Sequence, residues 1–111
     1  MIKPQSKAAG SIDALAMRRH AKGASALLQA LSNEHRLIVL CVLADGESSV
    51  SALNERIPIS QSALSQHLGV LREEGLVDTR REAQTIYYRL AEGPALDLIK
   101  VLHRHYCGVS K

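Results

Sequence analysis

Apolar positions recur at helical spacing along most of the chain and alternate in one short region near its C-terminal third. Met17, Ala21, Ala24, Leu28 and Leu31 step by 4, 3, 4 and 3 residues, the seam of a coiled-coil-type helix beginning near Ser11. Ser32-Asn33-Glu34 supplies a cap and a first-turn acid for a second helix. Leu37, Leu40, Cys41 and Ala44 share one of its faces, while Ile38, Val42 and Leu43 cover much of the rest. So apolar a helix belongs at the centre of a core, and Asp45-Gly46 ends it.

Ser49 caps a short third helix with Val50, Leu53 and Ile57 on its face, stopped by Pro58. Ser60 caps a fourth helix that runs to Glu74, with Gly75 just past its end. Two helices joined by three or four residues form a helix-turn-helix pair. Beyond them, Leu76 to Arg81 and Gln84 to Leu90 alternate as strands, with Arg80 to Gln84 as the expected loop. Gly93-Pro94 opens a last helix carrying Leu96, Ile99, Leu102, His103 and Tyr106 at helical spacing. The fold class that follows is mainly α with a small β-hairpin, a winged helix-turn-helix with helices added at both ends. Residues 1–10 are expected as a flexible arm, 11–107 as the domain and 108–111 as a tail.

The fourth helix has an unusual outer face. Leu64, Leu68 and Leu71 point to the core, and opposite them lie Gln61, Ser62, Ser65, Gln66 and His67. A surface helix kept merely soluble normally carries Glu and Lys there. Amides and hydroxyls instead match the donor and acceptor pattern of base edges in a DNA major groove.

Composition changes this picture in two ways. Of 111 residues 46% are hydrophobic, yet Phe and Trp are absent, so the core is aliphatic and some apolar surface is left over for a partner. The sequence pI near 9.1 suggests an acidic partner, but residues 1–23 alone carry a net +4 and the remainder sums to −1. Nucleic-acid binding must therefore rest on local clusters. No signal-type run appears, and the longest apolar run, Leu37 to Ala44, is far below membrane-spanning length. The expectation is a cytoplasmic protein whose two cysteines form no disulfide framework.

Three segments together, LSNEHRLIVL at 31–40, SQSALSQHLGVLREEGLV at 60–77 and RREAQTIYYRL at 80–90, resemble the ArsR/SmtB family of bacterial winged-helix repressors. Within it the chain is most similar to a thiol-sensing, persulfide-responsive subgroup, in Glu82 to Tyr88 and in the placement of Cys41 and Cys107. The resemblance implies a homodimer built from the first and last helices, bound to a palindromic double-stranded DNA operator. Ser60, Gln61, Ser62, Ser65, Gln66 and His67 are then candidates for base and phosphate contact, and Arg80, Arg81 and Gln84 for wing contacts.

Taken by themselves, Cys41 is equally a small packing residue and Cys107 a chain-end thiol. The resemblance implies a redox switch instead, in which a reactive sulfur species or oxidant joins Cys41 to Cys107 and releases DNA. A metal-sensing repressor of the same family is the nearest rival. Its ligand positions are occupied here by Asn33-Glu34-His35, Glu92-Gly93-Pro94 and His105-Tyr106-Cys107-Gly108, which lack at least two of four ligands for a closed tetrahedral site. No metal or other cofactor is expected. An interaction module without DNA is a further alternative. An enzyme is not expected, since there is no Cys-x-x-Cys, phosphate-cradling glycine loop or paired carboxylate.

Overall fold

In the computed structural model, residues 11–108 are described; the expected arm, 1–10, and tail residues 109–111 lie outside them. Helix α1 spans Ala14–Leu31 and α2 spans Glu34–Asp45, followed by β1 (Ser48–Ser49), α3 (Val50–Arg56) and α4 (Gln61–Glu73). Strands β2 (Val77–Glu82) and β3 (Thr85–Leu90) form the wing, and α5 spans Pro94–Cys107. Each of the first four helices starts on the cap read from sequence, or close to it. Asp13 accepts from Leu15 and Ala16, Asn33 from His35 and Arg36, Ser49 from Ala52, and Ser60 from Ala63.

The core is aliphatic throughout. Val39, Leu40, Leu53, Ile57, Leu64, Leu68, Leu71 and Val77 are fully buried, so α2, α3, α4 and β2 meet at one centre. Burying a side chain of this size is worth roughly 1.5–3 kcal/mol, so this shared centre fixes how α3 and α4 sit on α2. Asn54 fastens the turn between α3 and α4, its amide donating to the carbonyls of Ile59 (2.8 Å) and Ile57 (3.4 Å).

Three expectations need correction. On α2, Leu40 is buried but Cys41 and Ala44 are exposed, because the helix turns Val39, Leu40, Val42 and Leu43 inward. The wing is tighter than read: Arg80, Arg81 and Glu82 sit within the β-ladder, and Glu82 pairs with Thr85 across a turn of only Ala83 and Gln84. Ala83 takes a positive φ of 56°, the left-handed conformation a two-residue hairpin turn demands at its first position. Finally, Ser48 and Ser49 form a third strand, paired antiparallel with Tyr88 and Tyr87, giving a sheet of order β1-β3-β2. A two-residue strand has no alternation to reveal it.

The α1 seam is only partly covered by its own chain. Leu31 is buried and Leu27 packs on the core, whereas Met17 and Leu28 stay 52% and 55% exposed.

Candidate nucleic-acid interface and thiol groove

The amino-terminal end of α4 is held by Ser60, whose Oγ accepts from the Ala63 amide at 3.1 Å and lies 3.3 Å from the Ser62 hydroxyl. The amides of Gln61 and Ser62 precede the first intrahelical bond and point out along the axis, a ready place for a phosphate. Gln61, Ser62, Ser65 and Gln66 are all exposed, while Leu64, Leu68 and Leu71 on the opposite side are buried. A single rigid helix thus presents four uncharged donor–acceptor side chains in one row.

His67 differs from its neighbours. It is half-buried, its ring 5.7 Å from that of His35, and its Nδ1 lies 3.4 Å from an Arg36 guanidinium nitrogen. Burial first, then Arg36 and His35, push its pKa below the usual histidine value. A neutral ring accepting from Arg36 at Nδ1 carries its proton on Nε2. Arg36 reaches further: its Nε donates to the Ala30 carbonyl at 2.6 Å and another nitrogen to the Gln29 carbonyl at 3.4 Å. One guanidinium therefore ties the end of α1, the start of α2 and the middle of α4.

In the wing, adjacent arginines have different surroundings. Arg80 donates to both Glu47 oxygens (2.7 and 3.2 Å) and to Glu82 (3.1 Å), and its guanidinium sits 4.7 Å from the centre of the Tyr87 ring. Those bonds raise the Arg80 pKa and lower that of Glu47. On the same face Arg89 lies 3.9 Å from Asp78, so three carboxylates balance two guanidiniums. Arg81 points to the other face, opposite Ile86, and has no ion pair among the described residues. Gln84 is exposed in the turn beside it.

Helix α5 packs on α2, which brings the two cysteines to one side of the molecule. Both thiols are free and exposed. Cys41 opens into a groove of about 520 Å³ between the two helices, with Arg56 of α3 at its edge. Partial burial, then the nearby Cys107 and Asp45, raise the Cys41 pKa above the ordinary thiol value.

The first and last helices frame a winged helix-turn-helix whose parts and register are now defined, and known proteins share them. The family model "Bacterial regulatory protein, arsR family" matches residues 33–79, from the α2 cap through α4 into β2. The transcriptional activator HlyU of Vibrio cholerae is 50% identical over 91 residues, 82% of this chain and 84% of its own. The chain belongs to the ArsR family. Within that family it groups with HlyU and BigR. The structure of reduced HlyU from Vibrio cholerae has a TM-score of 0.78 at 50% identity, covering 83% of this chain and 97% of that one. The structure of the transcriptional repressor BigR from Xylella fastidiosa has a TM-score of 0.80 at 43% identity, with coverage of 86% and 98%. A homodimeric winged helix-turn-helix DNA-binding domain from Mycobacterium bovis has a TM-score of 0.71 at 29% identity, with coverage of 94% and 98%.

Against this family frame, the expected residues divide into two groups. Ser60, Gln61, Ser62, Ser65 and Gln66 share the exposed side of α4, with Arg81 and Gln84 at the wing tip, whereas His67 and Arg80 are engaged by side chains of their own chain. Sequence reading missed Arg36, Asn54 and Glu47. Asn54 carried a usable signal, a polar residue between Leu53 and Ile57 just before a helix stop. Among the described residues no cluster of three or more His, Cys, Asp and Glu side chains is placed to hold a metal ion. No single helix among them is long and apolar enough to cross a membrane.

Proposed function

We propose that this ArsR-family protein is a cytoplasmic DNA-binding repressor that works as a homodimer on a palindromic operator and is switched off through Cys41 and Cys107. The observation that carries the DNA reading is the row of exposed, uncharged hydrogen-bonding side chains on α4, with Arg81 beyond it. In a dimer the two α4 helices enter successive major grooves, about 34 Å apart, and read bases through Gln61, Ser62, Ser65 and Gln66. The Ser60 end of α4, Arg81 and Gln84 then hold the phosphate backbone and set the register. The names of HlyU and BigR, an activator and a repressor, support a role in transcription.

Dimerisation is supported by the apolar surface left open on α1 and α5. Met17, Leu28, Val101 and Tyr106 are exposed in a single chain, large apolar side chains that a second subunit would cover. The switch is supported by the placement of the thiols, since Cys41 lies in the α2–α5 groove and Cys107 is close enough for its charge to act on it. The cysteines are 66 residues apart, so a bond between them is a long-range constraint on how the end of α5 sits against α2. Drawing the end of α5 toward α2 moves the Leu102–Tyr106 surface, hence the spacing of the two reading helices.

A gel shift on the gene's own upstream DNA, with and without polysulfide, tests this reading. Binding should be lost on polysulfide treatment and regained on reduction, with mass spectrometry reporting a Cys41–Cys107 link. Cys41→Ser and Cys107→Ser should bind DNA yet ignore polysulfide. Release by zinc but not by sulfur would establish the metal-sensing alternative, and no shift at all would establish an interaction module without DNA.

A further inference from the structure

Helices α1 and α4 leave a gap of about 210 Å³ between them, lined by Ala26, Gln29 and Ala30 of α1 and by Val70 and Glu74 at the end of α4. Arg36 of α2 stands at its side. The Arg36 guanidinium bridges what packing leaves open. Its Nε donates to the Ala30 carbonyl at 2.6 Å and its Nη2 to the Gln29 carbonyl at 3.4 Å, while its Nη1 lies 3.4 Å from Nδ1 of His67. Three acceptors on two helices, held by one planar fork, fix an orientation that a single point charge does not.

This joint is polar beside a core that is aliphatic throughout. The His35 ring lies 5.7 Å from that of His67, and its Nδ1 is buried with no hydrogen-bond partner among the described residues. An unpaired buried nitrogen is destabilising, and apolar side chains of similar volume would hold the helices together as firmly. What the polar set adds is a fixed geometry. We infer that Arg36 is a positioning residue for DNA recognition, setting the pitch of α4 against α1 and so the angle at which the two reading helices of a dimer meet their half-sites. This role rests on the proposed reading of DNA by α4 in a homodimer, and adds the residue that aims it.

Arg36 is half-buried and its fork is occupied within the chain, so it acts through His67 and not on the DNA itself. The clamp needs a neutral imidazole, because Nδ1 must accept. A proton on that nitrogen sets two cations face to face. Burial, then Arg36 and His35 of α2, hold His67 neutral to a lower pH than an ordinary histidine. From α1 come the carbonyls of Gln29 and Ala30, and α4 itself brings the Glu74 carboxylate to the same gap. Acid therefore opens the His67 arm of the clamp, leaves the α1 arm in place and frees α4 to shift.

The test measures affinity of the full reduced chain for its gene's upstream DNA and for a shuffled duplex of equal length, the ratio being its preference. Arg36→Lys keeps the charge but not the fork. It should cut the preference about tenfold, the scale of one well-made base contact, and leave affinity for the shuffled duplex within about twofold of native. Arg36→Gln should do the same without changing the salt slope on the upstream DNA. From about pH 8 to about pH 5 the native preference should decline, while that of His67→Gln, which keeps an acceptor but takes no proton, should stay level. If Arg36→Gln loses its helical circular-dichroism signal, Arg36→Lys and the pH profile decide. A native preference in Arg36→Lys would overturn the positioning role. So would a salt slope reduced by about one unit in Arg36→Gln, which would mean a direct phosphate contact, and so would parallel pH profiles for the native chain and His67→Gln. A native chain that binds both duplexes equally is a separate outcome, and it would overturn the DNA reading beneath.

Discussion

Helix α4 and helix α1 carry equally regular apolar stripes, and they end differently. On α4, Leu64, Leu68 and Leu71 are at most 1% exposed, covered by α2, α3 and β2 of the same chain. On α1, Met17 and Leu28 remain 52% and 55% exposed, and on α5 Tyr106 remains 80% exposed. The α4 stripe is buried within one chain, while the flanking helices leave large apolar side chains exposed. A stripe announces that a face will be covered without saying which chain will cover it.

The largest effect should come from breaking the flanking half alone. Leu28→Glu places a carboxylate on the open α1 face, and burying it unpaired against a second subunit costs several kcal/mol. Sedimentation should give a monomer, and operator affinity should fall by about 100-fold or more, the equivalent of ~2.7 kcal/mol. The helical circular-dichroism signal should persist, because Leu28 lies outside the core of its own chain. A variant that stays dimeric and binds at native affinity would show the two halves to be equally self-sufficient.

The same contrast explains what was legible in the sequence. The α4 stripe oriented itself, because it is amphipathic and only one face can be buried. Helix α2 is apolar nearly all round, so periodicity has no polar side to set against the core and does not tell that Cys41 and Ala44 turn outward. Caps are local and were readable: Asn33, Ser49 and Ser60 each bond an amide within three residues. Contacts that cross the fold were not. Glu47 and Arg80 are 33 residues apart, and Arg36 and His67 are 31. Neither pair leaves any trace in spacing, yet together they engage Arg80 and His67 with side chains of their own chain.

The two wing arginines turn that point into a measurement. Arg81→Ala removes an unpaired cation, and operator affinity should fall roughly threefold to tenfold with the salt slope reduced by about one unit. Arg80→Ala removes a cation already balanced by Glu47 and Glu82, so the loss should stay under about twofold by the same counting. Glu47→Gln frees one partner of Arg80 and should tighten binding slightly at low salt. Titrations of the three variants from low to moderate salt give all three slopes. Equal losses for Arg80→Ala and Arg81→Ala would mean that DNA strips Arg80 from its carboxylates, erasing the distinction between the faces of the wing.

The smallest expected effect lies at the joint between the halves. His67 on α4 faces Arg36 and His35 on α2, and its pKa is held below the ordinary histidine value of 6.5 by burial and by those two neighbours. A group whose folded pKa is lowered binds more protons unfolded than folded across the window between the two values, so stability there rises with pH. Its stabilising effect is present above about pH 6.5 and is lost as pH falls through the lower, folded value. Urea midpoints measured from pH 8 down to pH 5 should therefore decline on the acid side, and the decline should be shallower in His67→Gln, which keeps an acceptor for Arg36 but cannot become a cation. Because the other histidines are common to both proteins, the difference between the two curves isolates His67. Superimposable curves would mean that Arg36 and a protonated His67 coexist without penalty, and that α1 and α4 are joined more loosely than the shared guanidinium suggests.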